Sequence, residues 1–121
     1  IEDLAIMRTL PNMTVLVPGD AEEMRQLMWQ TLDWPGPIYI RLAQGGDPII
    51  TRDSDETRIG KAVLTRPGGT VLFVATGIMT NRALQAADEL ARDGIAAGVL
   101  HVHTIKPFDA RAVLEASRGV A

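Results

Sequence analysis

Arg41 poses the first chemical question. It closes an apolar, partly β-branched run in "PIYIRLAQGG" (37–46) and is followed soon after by Gly45 and Gly46. A guanidinium near the end of such a run is costly to bury unless something negative meets it. Either Arg41 reaches water at the rim of a sheet or at a subunit interface, held by a carboxylate, or its fork of donors clamps the phosphate or carboxylate of a ligand. Two other stretches offer polar chemistry. "ATGIMTN" (75–81) turns from a strand into a helix, whose first amides could hold an anion. It lacks both the full G-x-G-x-x-G spacing and a P-loop lysine, so a plain strand-to-helix turn is the expectation. His101 and His103 are two apart and on a strand would share one face, giving two metal ligands. No third Asp, Glu or His is near in sequence, and no metal site is assigned to the pair. Lys106, before Pro107, reads as a solvated turn lysine. There is no Ser-His-Asp order, no H-E-x-x-H and no evident carboxylate pair, so no catalytic and no cofactor-binding residue is assigned to this chain.

The elements that must position these groups follow from periodicity and punctuation. Residues 2–9 suit a short helix stopped before Pro11, and "MTVLV" (13–17) a strand ended by Pro18-Gly19. Asp20 and Glu23 stand in capping-box spacing ahead of a helix whose Met24, Leu27, Met28, Thr31 and Leu32 should form its buried stripe. The turn Trp34-Pro35-Gly36-Pro37 feeds the strand "IYIRL" (38–42). This α-β-α-β order calls for parallel strands with a crossover helix. "GGDPIITRDSDETR" (45–58) is polar and broken by Gly and Pro, and reads as a linker. Strands are expected at 59–65, 70–76 and 96–104. Between the last two lies a helix over about 80–93, capped by Thr80 or Asn81 and ended by Gly94, with Ala83, Leu84, Ala87, Leu90 and Ala91 as its core stripe. Asp109 caps a final helix running through Ser117.

The fold class expected is α/β: parallel sheets, mixed at one edge, with helices on both faces, forming two partial three-layer α/β/α segments. A chain of 121 residues with 46% hydrophobic content suits one domain or two small ones. A net charge of -3 without basic clusters argues against a nucleic-acid partner, and no apolar run reaches the roughly 20 residues of a membrane helix. The absence of cysteine excludes a disulfide framework and leans the reading to the cytoplasm. The chain begins at Ile1 and stops in "SRGVA" after a helical segment, which reads like a piece of something longer.

Three stretches, in order, resemble the transketolase family. "IEDLAIMRTLPNMTVLVPGDAEEMR" (1–25) is similar to the late part of that family's pyrimidine-binding domain, and "GPIYIRLAQGG" (36–46) to the strand that closes it. Residues 59–109, from "IGKAVLT" to "HTIKPFD", resemble the start of its C-terminal domain. Within the wider group, deoxyxylulose-phosphate synthases and the β subunits of 2-oxoacid dehydrogenases share parts of this pattern. "IEDLAIMR" and "HTIKPFD" favour transketolase, above all the form split into N- and C-terminal subunits, although His103 stands where proline is expected. The resemblance implies that 1–44 is the end of the pyrimidine-binding domain, 45–58 a linker, and 59–121 an incomplete C-terminal domain. It implies that Arg41 binds the phosphate of a sugar-phosphate substrate. The complete enzyme would use thiamine diphosphate and Mg to move a two-carbon ketol unit, and would be a homodimer or pair with a complementary N-terminal subunit. The family's G-D-G-type cofactor motif, its activating glutamate and its histidine-bearing motif are all missing here. The chain alone is therefore expected to bind no cofactor and to be inactive, and a non-catalytic assembly module is the contrasting expectation.

Overall fold

A computed structural model describes residues 2–53 and 55–120; Ile1, Ser54 and Ala121, which fall in the three predicted segments, lie outside the described residues. The element order is α1 (Asp3–Thr9), β1 (Thr14–Leu16), α2 (Ala21–Thr31), β2 (Ile38–Ile40), β3 (Val63–Arg66), β4 (Val71–Ala75), α3 (Met79–Arg92), β5 (Ala97–His101), β6 (Thr104–Lys106) and α4 (Ala110–Ala116). The fold is mixed α/β. One sheet has the order β2-β1-β6 and the other β3-β5-β4. Each joins one parallel pair, β1 with β2 and β4 with β5, to one antiparallel edge strand. No helix among the described residues is long and apolar enough to cross a membrane.

The predicted strand 96–104 is two strands. β5 ends at His101, Val102 and His103 carry the chain across, and β6 begins at Thr104 in the other sheet. Every residue from Ala97 to Thr104 is buried, and the run alternates apolar and polar side chains across the crossing, so neither burial nor composition marks it. His101 and His103 are therefore not neighbours on one strand face, although their rings lie 5.8 Å apart, centroid to centroid. Two hydrogen bonds hold the crossing: Val102 N–H donates to Ala75 O at 2.8 Å and Val17 N–H to His103 O at 2.7 Å. The earlier and later parts of the chain thus meet there, with β6 pairing antiparallel to β1.

Each sheet has its own apolar cluster. Ala83 and Ala87 of α3 pack with Ala97 and Val99, backed by Phe73, Leu84 and Leu90. Small alanines on the buried helix face bring α3 close to its sheet; Ala91, expected on that stripe, is exposed. Leu16 and Leu27 pack with Ile59, backed by Trp34, Ile38 and Ile40. Here the expected stripe of α2 is rotated. Met28 and Leu32 are 49% and 73% exposed, as is Trp29 at 67%. The inward positions are Glu23 and Leu27, followed by Gln30, which accepts from Ile59 N–H at 3.0 Å and donates to Thr57 O at 2.8 Å. The helix buries a mainly polar row because its partner is polar backbone, which periodicity of apolar residues alone cannot register.

The cap of α3 and the role of Lys106 differ from expectation, and the cap of α4 agrees. α3 begins at Met79 with Ile78 as its N-cap and no side-chain cap, because Thr80 is buried and turned to another use. Lys106 is not a solvated turn residue: its ammonium donates to Arg8 O at 3.0 Å and Leu10 O at 2.7 Å, carbonyls at the C-terminal end of α1. Asp109 caps α4 as expected, accepting from Ala112 N–H at 3.1 Å, and also takes Ala62 N–H at 3.1 Å.

Candidate functional site

β1, β2 and β4 send their carboxyl ends toward one groove of about 310 Å³, lined by Val17, Pro18, Arg41–Ala43 and Thr76–Met79. In open α/β sheets this end of parallel strands is where ligands collect. Two of the sequence candidates, Arg41 and the Thr76-Gly77 turn, are brought together here, and among the described residues Arg41 is the only charged one lining the groove. An adjoining hollow of about 240 Å³ shares Pro18, Leu42 and Ala43, but its charged members are Asp20 and Asp47. An anion is better served by the Arg41 side.

Arg41 N–H donates to Leu16 O at 2.9 Å, which continues the β1–β2 ladder one step and fixes the residue at its rim. Its side chain is 46% exposed, with Nε 3.5 Å from Oδ2 of Asp3. That same oxygen accepts the Tyr39 hydroxyl at 2.9 Å. The Tyr39 hydrogen bond holds the Asp3 carboxyl below its usual range, slight burial opposes it, and the charge of Arg41 adds to the lowering. Both alternatives raised for Arg41 are thus present in one geometry: a loose rim contact with a carboxylate, and a guanidinium bordering an open groove. Across the groove, Thr76 Oγ1 is buried and has no hydrogen-bond partner among the described residues.

At the edge of the groove lies a buried polar chain that the sequence did not announce. Glu23 Oε2 accepts Gly19 N–H at 2.7 Å and lies 2.7 Å from His101 Nε2. His101 Nδ1 is 2.6 Å from Thr80 Oγ1. The two ring nitrogens thus meet different partners, Nε2 the Glu23 carboxyl and Nδ1 the Thr80 hydroxyl, which can donate or accept as the ring tautomer requires. The sequence of groups is that of a hydroxyl–imidazole–carboxylate triad, but Thr80 is 0%, His101 2% and Glu23 2% exposed. No substrate reaches it, so it is no nucleophilic centre. Half of the predicted capping box forms: Asp20 Oδ1 accepts Glu23 N–H at 2.9 Å, while the Glu23 carboxylate takes Gly19 N–H and His101 instead of closing the box. Each member reads locally as something else, a box glutamate, a strand histidine and a helix cap, and Glu23 and His101 are 78 positions apart.

Asp20 ties the segment after the groove. Its Oδ2 accepts Ile50 N–H at 2.7 Å, Thr51 N–H at 2.7 Å and the Thr51 hydroxyl at 2.9 Å. Burial pushes its carboxyl up, but the amides of Glu23, Thr51 and Ile50 with the Thr51 hydroxyl outweigh it and the net shift is down. His103, wholly buried, meets Thr104 Oγ1 through Nδ1 at 2.9 Å, and its Nε2 has no partner among the described residues. Burial lowers its pKa, with Glu23 opposing and His101 assisting. Among the described residues no three His, Asp or Glu side chains gather where they could hold a metal ion.

Residues 60–119 match the family described as Transketolase, C-terminal domain. The chain is 50% identical over 117 residues to the 6-deoxy-6-sulfo-D-fructose transketolase subunit SqwH of Clostridium sp. (strain MSTE9), covering 97% of this chain and 36% of that protein. It is 33% identical over 118 residues to the 1-deoxy-D-xylulose-5-phosphate synthase of Heliobacterium modesticaldum, covering 96% of this chain and 18% of that one. Among solved structures, a split-gene transketolase described as an inactive beta4 tetramer superposes with a TM-score of 0.93 at 41% identity, over 99% of this chain and 40% of that one. The chain spans little more than a third of the clostridial subunit.

Proposed function

This chain belongs to the transketolase family, and from that premise we propose that it forms part of a transferase that moves a two-carbon ketol unit between sugars, Arg41 binding the anionic end of the donor. The observation that carries this reading is the placement of Arg41. Among the described residues it is the one charged group bordering a groove at the carboxyl ends of β1, β2 and β4, and it is held there by its own backbone while its side chain stays half exposed. A guanidinium fork matches the oxygens of a tetrahedral anion. Phosphate is the anion we assign first. A sulfonate presents three oxygens in the same arrangement, and the 50% identity to a sulfofructose transketolase subunit favours it as a second reading. Pyruvate accepted as donor would instead move the chain toward the synthase branch.

We assign residues 1–44 to the end of a pyrimidine-binding domain, 45–58 to a connector and 59–121 to a C-terminal domain. The complete enzyme pairs this chain with a complementary subunit or a second copy. The exposed Met28 and Trp29 on α2, with Leu32 at its C-cap, support a covering partner, as do the relatives, one a transketolase subunit and one a tetramer. Thiamine diphosphate with Mg belongs, on this reading, to the complementary part. The role we assign to this chain's own residues is to bind and orient the donor's anionic end.

The test is Arg41→Ala in the assembled enzyme. A charge-assisted contact to the anion is worth about 1.5–3 kcal/mol, so KM for ketose phosphates or ketose sulfonates should rise roughly ten- to a hundred-fold. Hydroxypyruvate, which carries no such group, should be affected much less. Equal losses for both donor types would return Arg41 to a rim contact with Asp3.

A further inference from the structure

The buried chain Glu23–His101–Thr80 is bonded to two residues at the edge of the Arg41 groove: Gly19, next to the lining Pro18, and the lining Gly77. Two turns that line the groove meet there: Val17-Pro18, leaving β1 and followed by Gly19, and Thr76-Gly77, entering α3. They touch so closely that a Cβ on Gly77 would stand 2.8 Å from Val17 Cγ1. Gly77 also has φ of +55°, which only glycine adopts cheaply. On the first turn, Glu23 Oε2 holds Gly19 N–H. His101 packs against the same residue, its Nε2 being 3.2 Å from where a Gly19 Cβ would be. On the second turn, Thr80 follows Met79 directly, and its N–H donates to Gly77 O at 3.0 Å. The imidazole therefore spans the gap, with one nitrogen on the group that holds the β1 turn and the other on the first turn of α3.

We infer that Glu23, His101 and Thr80 are positioning residues that hold together the two turns lining the groove and so fix the distance between Arg41 and the Thr76-Gly77 turn, between which the anionic end of the donor is held. This rests on the reading of Arg41 given above. None of the three touches substrate. Their effect reaches it through the spacing of the walls, and displacements well under a van der Waals radius suffice to weaken a fork-to-anion contact.

The experiment compares Thr80→Val, which keeps the volume and removes the hydroxyl, with Thr80→Ser, which keeps the hydroxyl, each alone and in an Arg41→Ala background. KM and kcat are measured in the assembled enzyme with a ketose phosphate and with hydroxypyruvate, alongside melting temperatures. The expected result is a rise in KM for the phosphorylated donor of roughly three- to thirty-fold in Thr80→Val, little change for hydroxypyruvate, and near-normal values in Thr80→Ser. In the Arg41→Ala background the Thr80→Val effect should vanish, since the contact it tunes is already gone. A Thr80→Val enzyme that only melts earlier, or loses both donors equally, would overturn the inference while leaving a selective Arg41→Ala result standing. An unselective Arg41→Ala result would overturn the reading of the groove and this inference with it. Should Thr80→Val not accumulate as folded protein, Thr80→Ala removes the hydroxyl without crowding His101 and carries the same comparison.

Discussion

Arg41 with Asp3 and His101 with Glu23 both set a nitrogen base against a carboxylate near the carboxyl end of a strand. The first pair is 3.5 Å apart with side chains 46% and 28% exposed, and the second 2.7 Å apart with side chains 3% and 2% exposed. Water competes for the first pair and screens it, so Arg41 can exchange Asp3 for a ligand at little cost. The second pair has no water to fall back on. Glu23 answers Gly19 N–H as well as His101, and His101 answers Thr80, so removing one member strands the others. The same two kinds of group thus serve binding where they are wet and geometry where they are dry. Asp20 lies between these limits, being 7% exposed and surrounded by donors that are mostly backbone.

The largest effect should come from breaking the dry pair. Glu23→Ala leaves Gly19 N–H and His101 buried without their partner and opens a void, and should cost about 3–5 kcal/mol of folding stability by denaturant titration. Glu23→Gln keeps one acceptor oxygen in place and should lose markedly less. If alanine and glutamine variants were equally mild, Glu23 would have to be regarded as reachable by water, contrary to its burial.

Asp20→Ala comes next. It removes the N-cap of α2 and the anchor of Ile50 and Thr51, and should cost about 1–2 kcal/mol, at the upper end of cap substitutions. The sign of its pH dependence follows from the lowered carboxyl. A group more acidic folded than unfolded contributes fully above its ordinary value of 3.8, and that contribution is lost as pH falls from there through the lowered folded value. The stability difference between wild type and Asp20→Ala should therefore narrow below about pH 4. A difference that stayed constant into strong acid would mean that Asp20 holds its partners without its charge.

Much of this was legible in the residues, and what escaped did so for one reason. Asp20 was readable as a cap because its partner, Glu23 N–H, is three positions away. The strand that leads to Arg41, expected over 38–42 and found at Ile38–Ile40, was readable because its apolar run and its cation are adjacent. The alanine face of α3 was readable because a helix repeats its own period. Glu23, His101 and Thr80 were each present as candidates for local roles, yet their partners lie on three different elements. A signal did exist. His101 and Thr80 sit among apolar inward positions of β5 and α3, and on α2 Glu23 is inward while Met28 and the C-cap Leu32 face outward, the reverse of an isolated amphipathic helix. The crossing from β5 to β6 escaped because strand composition reports burial but not which sheet a strand joins.

The smallest effect should come from breaking the wet pair. Arg41→Ala leaves Arg41 N–H free to bond Leu16 O, since that donor is backbone, and removes a side chain almost half in water. Asp3 keeps the Tyr39 hydroxyl, the larger cause of its lowered carboxyl. Folding stability should therefore change by no more than the error of the measurement, and the residual difference should shrink further when salt is raised to screen it. Asp3→Asn, which retains an oxygen for Tyr39, should be equally mild, and the two changes together should add without coupling. That result would separate the two contacts by role: one variant nearly silent in stability yet selective in donor recognition, the other severe in stability. A melting temperature that fell clearly in Arg41→Ala and was restored in the double variant would instead make Arg41 a structural partner of Asp3, and the contrast between the wet and dry pairs would be one of degree only.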